Sequence, residues 1–231
     1  MKPLTVIFAA VLAVSPLAGN AGSPVVVELF TSQGCSSCPP ADAVLGELAE
    51  RDDVLALSLH VDYWDYLGWK DAFALPKFTR RQRNYAHAFG NRSIYTPQIV
   101  VQGAEDVVGS RKRKIGTLIA RHAAAGSGAD LSARRSGADI AISLKPGGTP
   151  AGKCVVHLVE YAPEMKASIT RGENAGLSLT YHNVVRRWIA VGDWDGRSAV
   201  TLHAESTSGL PVAVIVQAEN SGPIMAAAKL K

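Results

Sequence analysis

The most informative part of the chain is residues 25–49, VVVELFTSQGCSSCPPADAVLGELA. The stretch begins with an apolar run, Val25 to Phe30, which predicts a strand. It ends with apolar residues at helical spacing, which predict a helix over about residues 41–50. Cys35 and Cys38 lie between these two elements. Because residues three apart share one face of a helical turn, the two thiols are close enough to form a disulfide and to open it again.

The position of the cysteine pair favours redox chemistry. The positive end of a helix dipole lowers the pKa of a nearby thiol and so favours the nucleophilic thiolate. A C-x-x-C pair also occurs in zinc sites, but a zinc site needs further ligands nearby. The remaining cysteine, Cys154, lies far along the chain and alternates with Val156 and Leu158. This alternation predicts a small apolar core residue, with a third redox partner as the alternative.

The first 21 residues have the pattern of an export signal. Lys2 supplies a positive charge, an apolar run follows from Leu4 to Val14, and small residues lead to a predicted cleavage point after Ala21. This run is too short to span a bilayer comfortably, and no later apolar stretch is longer. We therefore expect a periplasmic or secreted protein without stable membrane insertion, in a compartment that permits disulfides.

Composition excludes several classes of function. The formal net charge is +4, and it becomes +3 when the single charge of Lys2 is lost with the signal. So small an excess does not predict nucleic-acid binding. The sequence contains no glycine-rich phosphate loop, H-E-x-x-H or nucleophile-elbow motif, and no cofactor is expected.

Strand and helix patterns alternate in the first half of the mature chain and change in the second half. Residues 22–126 predict the order β-α-β-α-β-β-α, with a hairpin around Gly103. After a glycine- and serine-containing linker, short alternating strands predict a mainly antiparallel, sandwich-like sheet. The predicted division is a signal peptide over 1–21, an α/β domain over 22–126 and a β-rich domain over 127–231.

This order, with a C-x-x-C after the first strand, resembles the thioredoxin-like superfamily. The resemblance extends to Tyr95-Thr96-Pro97, directly before the predicted hairpin. It implies an α/β thioredoxin-like domain with a cis peptide bond before Pro97, packed against the cysteine pair. The whole chain, including residues 28–34 (ELFTSQG) and 61–65 (VDYWD), is similar to the DUF1223 family. Those are exported bacterial proteins with a thioredoxin-like domain and no settled function.

The sequence departs from the usual thioredoxin pattern directly after Cys38, where Pro39 and Pro40 follow. Proline is tolerated in the first helical turn, whose N–H groups lack partners. We therefore expect the helix to begin near Cys38 and to leave Cys35 just outside it, which weakens the effect of the dipole on Cys35.

The resemblance implies a thiol–disulfide oxidoreductase that acts on protein or small-molecule thiols and disulfides. In this interpretation Cys35 is the exposed, attacking cysteine and Cys38 the buried, resolving one, while Pro97 and Thr96 hold the substrate backbone. Two rival classes stay open. One is a soft-metal-binding protein that captures an ion such as Cu(I) with the same thiols. The other is a non-catalytic interaction protein in which a permanent disulfide fixes the loop.

Residues 60–69, HVDYWDYLGW, leave the carboxyl end of the second predicted strand. Ligands of open α/β sheets bind at this edge, so Asp62, Tyr63 and Trp64 are predicted to contact substrate, with Asp62 assisting proton transfer. The alternative is that the aromatic residues pack a domain interface while Asp62 and Asp65 cap a helix. We also expect the β-rich half to cover this edge. The polar residues 171–174 either face the cysteines or form an ordinary hairpin end.

Overall fold

The computed structural model describes residues 22–148 and 152–230, so the predicted signal peptide lies outside the described residues. Within them the chain forms eleven strands and three α-helices, together with a short 3-10 helix at Asp65–Leu67. In chain order the elements are β1 (Val25–Thr31), α1 (Pro39–Ala49), β2 (Val54–His60), α2 (Pro76–Ala88), β3 (Gln98–Val101), β4 (Glu105–Val108), α3 (Lys112–Ala125), β5 (Ala129–Ser136), β6 (Asp139–Pro146), β7 (Cys154–Ser168), β8 (Ser178–Trp194), β9 (Val200–Glu205), β10 (Val212–Ala218) and β11 (Ile224–Leu230).

Eight strands form one mixed sheet in the order β11-β10-β7-β8-β2-β1-β3-β4. Strand β1 runs parallel to β2 and antiparallel to β3. Strand β8 extends the sheet by pairing in parallel with β2 through Val184 and Ser58. Strands from both sides of residue 126 therefore share one continuous sheet. The division into two domains at that residue stays a prediction.

Helices cover the sheet on both sides of strand β1, and most residues of this strand are therefore apolar. All seven of its residues are buried. Val27 and Leu29 pack on one face with residues of α1 and α3, and Val26 and Phe30 pack on the other face with residues of α2. A strand buried on both faces requires a nearly continuous apolar run, which is what the sequence shows. This packing fixes the position of the loop that follows β1.

Strands β5, β6 and β9 form a second, antiparallel sheet. Its residues Ile140 and Ile142 pack against the face of β7 that carries Cys154 and Val156. The two sheets make a sandwich over this part of the chain. Cys154 is 1% exposed, which confirms the prediction that it faces a core, and it takes no part in the disulfide described below. In the described parts of the chain no helix is long and apolar enough to cross a membrane.

Candidate thiol–disulfide site

Cys35 and Cys38 form a disulfide in the loop between β1 and α1, with their Cα atoms 5.4 Å apart. Helix α1 has Cys38 as its N-cap residue, and Pro39 and Pro40 occupy its first positions. This confirms the predicted disulfide and the predicted helix start. Because Cys38 caps the helix and Cys35 lies outside it, the helix dipole acts more strongly on the sulfur of Cys38.

Both cysteines are fully buried, each with an exposed fraction of 0%. The prediction of an exposed Cys35 beside a buried Cys38 is therefore wrong for the disulfide form. The two serines between them, Ser36 and Ser37, are exposed. A distant part of the chain, the loop that joins β7 to β8, contacts the backbone of Cys35.

We call residues 170–177 the cover loop. Asn174 is its one buried residue, with 4% exposure. The Asn174 Nδ2 group donates hydrogen bonds to the carbonyl oxygens of Gln33, at 2.9 Å, and Cys35, at 3.0 Å. The backbone N–H of Ser36 donates to Oε2 of Glu173 at 3.3 Å. Glu173 and Asn174 thus both contact the cysteine loop, and Asn174 is the buried one of the two.

The segment 60–69 lies beside the cysteine loop, as the order of the elements predicts. The indole N–H of Trp69 donates to Oε1 of Gln33 at 2.8 Å. The indole N–H of Trp64 donates to Oγ1 of Thr96 at 2.7 Å. A Cβ atom on Gly34 would come within 3.2 Å of Trp64 Cβ, so glycine permits this close approach. Trp64 therefore joins the cysteine loop to the loop that precedes Pro97.

The Thr96–Pro97 peptide bond is cis, which confirms the geometry predicted for it. Pro97 is buried, and its carbonyl oxygen accepts a hydrogen bond from the N–H of Gly109 at 2.9 Å. A Cβ atom on Gly109 would lie 3.1 Å from Pro97 Cβ and 2.8 Å from Ala41 Cβ. Gly109 thus fits between Pro97 and the first turn of α1. Pro97 and the helix that bears Cys38 are near neighbours.

The carboxylate of Asp62 contacts α2. Its Oδ1 accepts a hydrogen bond from the Thr79 hydroxyl at 2.5 Å, and its backbone N–H donates to the same hydroxyl oxygen at 3.3 Å. Asp65 accepts a hydrogen bond from the backbone N–H of Asp71 at 3.1 Å. Tyr63 and Trp64 pack against the core on the α2 face. A role for Asp62 in proton transfer stays a prediction.

A buried ion pair between His60 and Asp71 supports the cysteine loop. The sequence analysis did not identify Asp71. His60 Nδ1 lies 2.7 Å from Asp71 Oδ2, and both side chains are 0% exposed. Asp71 also accepts hydrogen bonds at 2.8 Å from the backbone N–H groups of Gln33 and Phe73. Burial alone would raise the pKa of Asp71, but the charge and hydrogen bond of His60 and the two N–H groups hold that pKa below its usual value. The available signal was His60 itself, because a histidine that ends a buried strand needs a polar partner.

A second missed residue is Asp42, which lies in the first turn of α1 and is 6% exposed. Burial raises the pKa of its carboxyl well above the usual range, the Thr31 side chain offsets part of this, and the charge of Asp71 adds to it. Asp42 therefore holds its proton to a higher pH than an exposed aspartate does. Within the described residues, several buried polar atoms nearby have no hydrogen-bond partner: the hydroxyls of Thr31, Ser58 and Tyr181, and His60 Nε2.

Such unpaired buried groups are rare in folded proteins. They concentrate here in the elements that carry the disulfide and its neighbours.

No group of three or more His, Cys, Asp and Glu side chains is arranged to hold a metal ion, at this site or anywhere else in the part of the chain that the structure describes.

The family profile described as "Protein of unknown function (DUF1223)" matches residues 26–217. The chain belongs to the DUF1223 family. A protein from Agrobacterium tumefaciens with a known crystal structure is 33% identical to this DUF1223 chain, with a TM-score of 0.78 over 90% of this chain and 94% of the other. HBP35 of Porphyromonas gingivalis shares the fold at 16% identity, with a TM-score of 0.62 over 90% of this chain and 75% of the other. No curated protein matches.

Proposed function

We propose that this DUF1223 protein is an exported, thioredoxin-like thiol–disulfide oxidoreductase that acts through Cys35 and Cys38. One observation carries the proposal. The disulfide lies at the N-terminus of α1, under a cover loop in which only Asn174 is buried. A loop whose residues are almost all exposed opens at a lower free-energy cost than global unfolding. The disulfide is thus protected and can still be reached.

The exchange conserves atoms and electrons. In the reduced pair, the Cys35 thiolate attacks one sulfur of a substrate disulfide, a mixed disulfide forms, and the other substrate sulfur leaves and takes up a proton. The Cys38 thiolate then attacks Cys35 Sγ. The Cys35–Cys38 bond forms, the mixed disulfide breaks, and the second substrate sulfur leaves as a thiol. Two electrons pass from the pair to the substrate. The reverse sequence oxidises a substrate dithiol.

The neighbouring residues support this chemistry. The dipole of α1 favours a thiolate at Cys38, the N-cap residue, and so makes Cys38 a good leaving group when a substrate thiolate attacks Cys35. We assign to Thr96 and Pro97 the binding of substrate backbone beside Cys35. Asp42, with its raised pKa in the first turn after Cys38, is suited to exchange a proton with the pair.

Substrate reaches the disulfide only when the cover loop moves. Both sulfur-bearing residues are fully buried, and an attacking thiolate must approach the sulfur directly. Displacement of the loop breaks the two hydrogen bonds that Asn174 donates to Gln33 and Cys35. Because substrates must displace the loop, the loop selects among protein and small-molecule thiols and disulfides.

Export forms part of the proposal. It rests on residues 1–21, in which a positive start, an apolar run and small residues follow one another as in signal peptides. An oxidising compartment also suits a protein whose central feature is a disulfide.

A second candidate function is that of an interaction protein with a static disulfide. The complete burial of both cysteines favours it, because a structural disulfide needs no access to partners. The two candidates differ in whether the pair ever exchanges with another sulfur.

Covalent trapping tests the proposal. We expect Cys38→Ser, expressed in an exported form, to accumulate mixed disulfides that dithiothreitol releases, because the resolving thiol is absent. The variant with both Cys35 and Cys38 replaced by Ser is the matched control and should trap nothing. If Cys38→Ser traps no partner and the native pair stays oxidised in excess thiol, the static disulfide is the correct interpretation.

A further inference from the structure

A cleft of about 570 Å³ lies between α2 and the strands β7, β8 and β10. We call it the basic cleft; the side chains used in the argument are Lys77, Arg80, Arg83, His157 and Trp188. It shares no lining residue with the cysteine site. Its volume falls in the range of small-molecule sites, about 300–1,000 Å³.

Positive charge in the basic cleft lacks a counter-charge. Lys77, Arg80 and Arg83 form no ion pair within residues 22–148 and 152–230. No carboxylate lines the cleft. Burial lowers the pKa of Lys77, and the neighbouring charge of Arg187 lowers it further. An anion bound beside these three cations is attracted by them and supplies the missing counter-charge.

The floor of the basic cleft is a polar network centred on Arg81. Arg81 donates to both carboxylate oxygens of Glu28, at 2.5 and 2.9 Å, and Nη2 of Arg81 also donates to the Tyr85 hydroxyl and to Oε1 of Gln217. Its guanidinium lies 3.9 Å from the ring centroid of Trp188. Glu28 is 0% exposed, and the Arg81 side chain is 11% exposed. Such a network holds the floor in one geometry, which reduces the entropy lost when a ligand binds.

The wall opposite α2 is aromatic and uncharged. The rings of His157 and Trp188 have centroids 5.7 Å apart. Burial and the charge of Arg81 lower the pKa of His157 to about 4, so it is neutral at physiological pH. The cleft therefore combines cations on its α2 side with uncharged side chains, two of them aromatic, on its strand side.

We propose that the basic cleft binds a small organic anion that carries two or more carboxylate or phosphate groups on a compact, ring-sized apolar body. The acid groups pair with Lys77, Arg80 and Arg83, and the apolar body lies against Trp188. The site is separate from the disulfide, and the proposal goes beyond thiol exchange. Arginine suits such a ligand because its planar guanidinium binds carboxylate and phosphate oxygens in pairs.

Calorimetric titration of the mature chain with benzene-1,3,5-tricarboxylate tests the proposal. At low ionic strength we expect a Kd of about 1 mM or tighter, and a shift of the Trp188 indole N–H resonance. The uncharged analogue benzene-1,3,5-trimethanol should bind at least tenfold more weakly. Phosphorylated and carboxylated ligands are then compared in the same assay to separate the two acid chemistries.

Two charge-matched variants make the test specific. Arg80→Glu with Arg83→Glu should weaken binding at least tenfold. Arg113→Glu with Lys114→Glu makes the same change of net charge on exposed residues of α3 and should change affinity less than twofold. If the cleft variant does not fold, Arg80→Gln with Arg83→Gln replaces it. Absence of binding, equal binding of the uncharged analogue, or an equal loss in both charge variants overturns the proposal.

Discussion

Replacement of Asn174 by Ala isolates the anchor of the cover loop. The change removes the two hydrogen bonds from Nδ2 to the carbonyl oxygens of Gln33 and Cys35. Each buried hydrogen bond contributes about 1 kcal/mol net to stability, so the closed loop loses about 2 kcal/mol. This loss corresponds to a roughly 30-fold rise in the population of open loop, since about 1.4 kcal/mol is a factor of ten.

The assay is the rate at which dilute dithiothreitol reduces the disulfide under native conditions, followed by alkylation and mass spectrometry. When opening is fast, the reduction rate follows the open population, so Asn174→Ala should be reduced roughly 30-fold faster than the natural protein. Ser23→Ala is the control. Ser23 Oγ donates to the carbonyl oxygen of Ala227 and accepts from its N–H, and it lies far from the cysteines in the fold.

We expect Ser23→Ala to change the reduction rate less than twofold. If Asn174→Ala leaves the rate unchanged, or if Ser23→Ala accelerates reduction equally, the disulfide becomes accessible through global unfolding. The reasoning about the cover loop would then be refuted.

Three further changes test other parts of the structure. The Asp42→Asn variant should have a higher free energy of unfolding in urea than the natural protein at pH 8, and the difference should vanish near pH 4. The pKa of Asp42 is raised in the folded state, so the stability that its protonated form contributes to the natural protein is lost as pH rises through that pKa. Glu28→Gln should lower the free energy of unfolding by roughly 3–5 kcal/mol in the same assay, because it leaves the charge of Arg81 buried without its partner. Cys154→Ala should cost about 1 kcal/mol and leave both the disulfide and the thiol-exchange rate unchanged.

Local sequence signals predicted the first half of the fold more closely than the second. The apolar run Val25 to Phe30 predicted β1 to within one residue of its end at Thr31. Strand β7 continues past Pro163 to Ser168, although proline cannot donate a hydrogen bond to a neighbouring strand. It does so because its polar end pairs along its length with β8, a long-range pairing that overrides local propensity.

Two strands were not predicted. Strand β5 directly follows the glycine- and serine-containing linker and has exposed polar residues at alternate positions, so its apolar signal is weak. Strand β11, Ile224–Leu230, is rich in alanine, which has low strand propensity. Both strands are held by their sheet partners, β6 and β10.

The cysteine pair and the neighbouring tryptophan segment were predictable because they are close in sequence to recognisable strand ends, and the cis peptide bond before Pro97 followed from the resemblance to the thioredoxin-like superfamily. The contact between Asn174 and the backbone of Cys35 was not predictable, since the two residues are 139 apart along the chain. Asp42 and Asp71 were missed for a similar reason. Each is an ordinary surface residue by local pattern, and only tertiary packing removes it from water.

The reduction potential of the Cys35–Cys38 pair tests the central claim most directly. It is measured by equilibration of the full mature chain with glutathione buffers and quantification of the two redox forms. The account predicts a potential between about −270 and −120 mV, the range of proteins that exchange disulfides. A potential below about −300 mV would contradict it, because a pair of that stability remains a permanent structural bond.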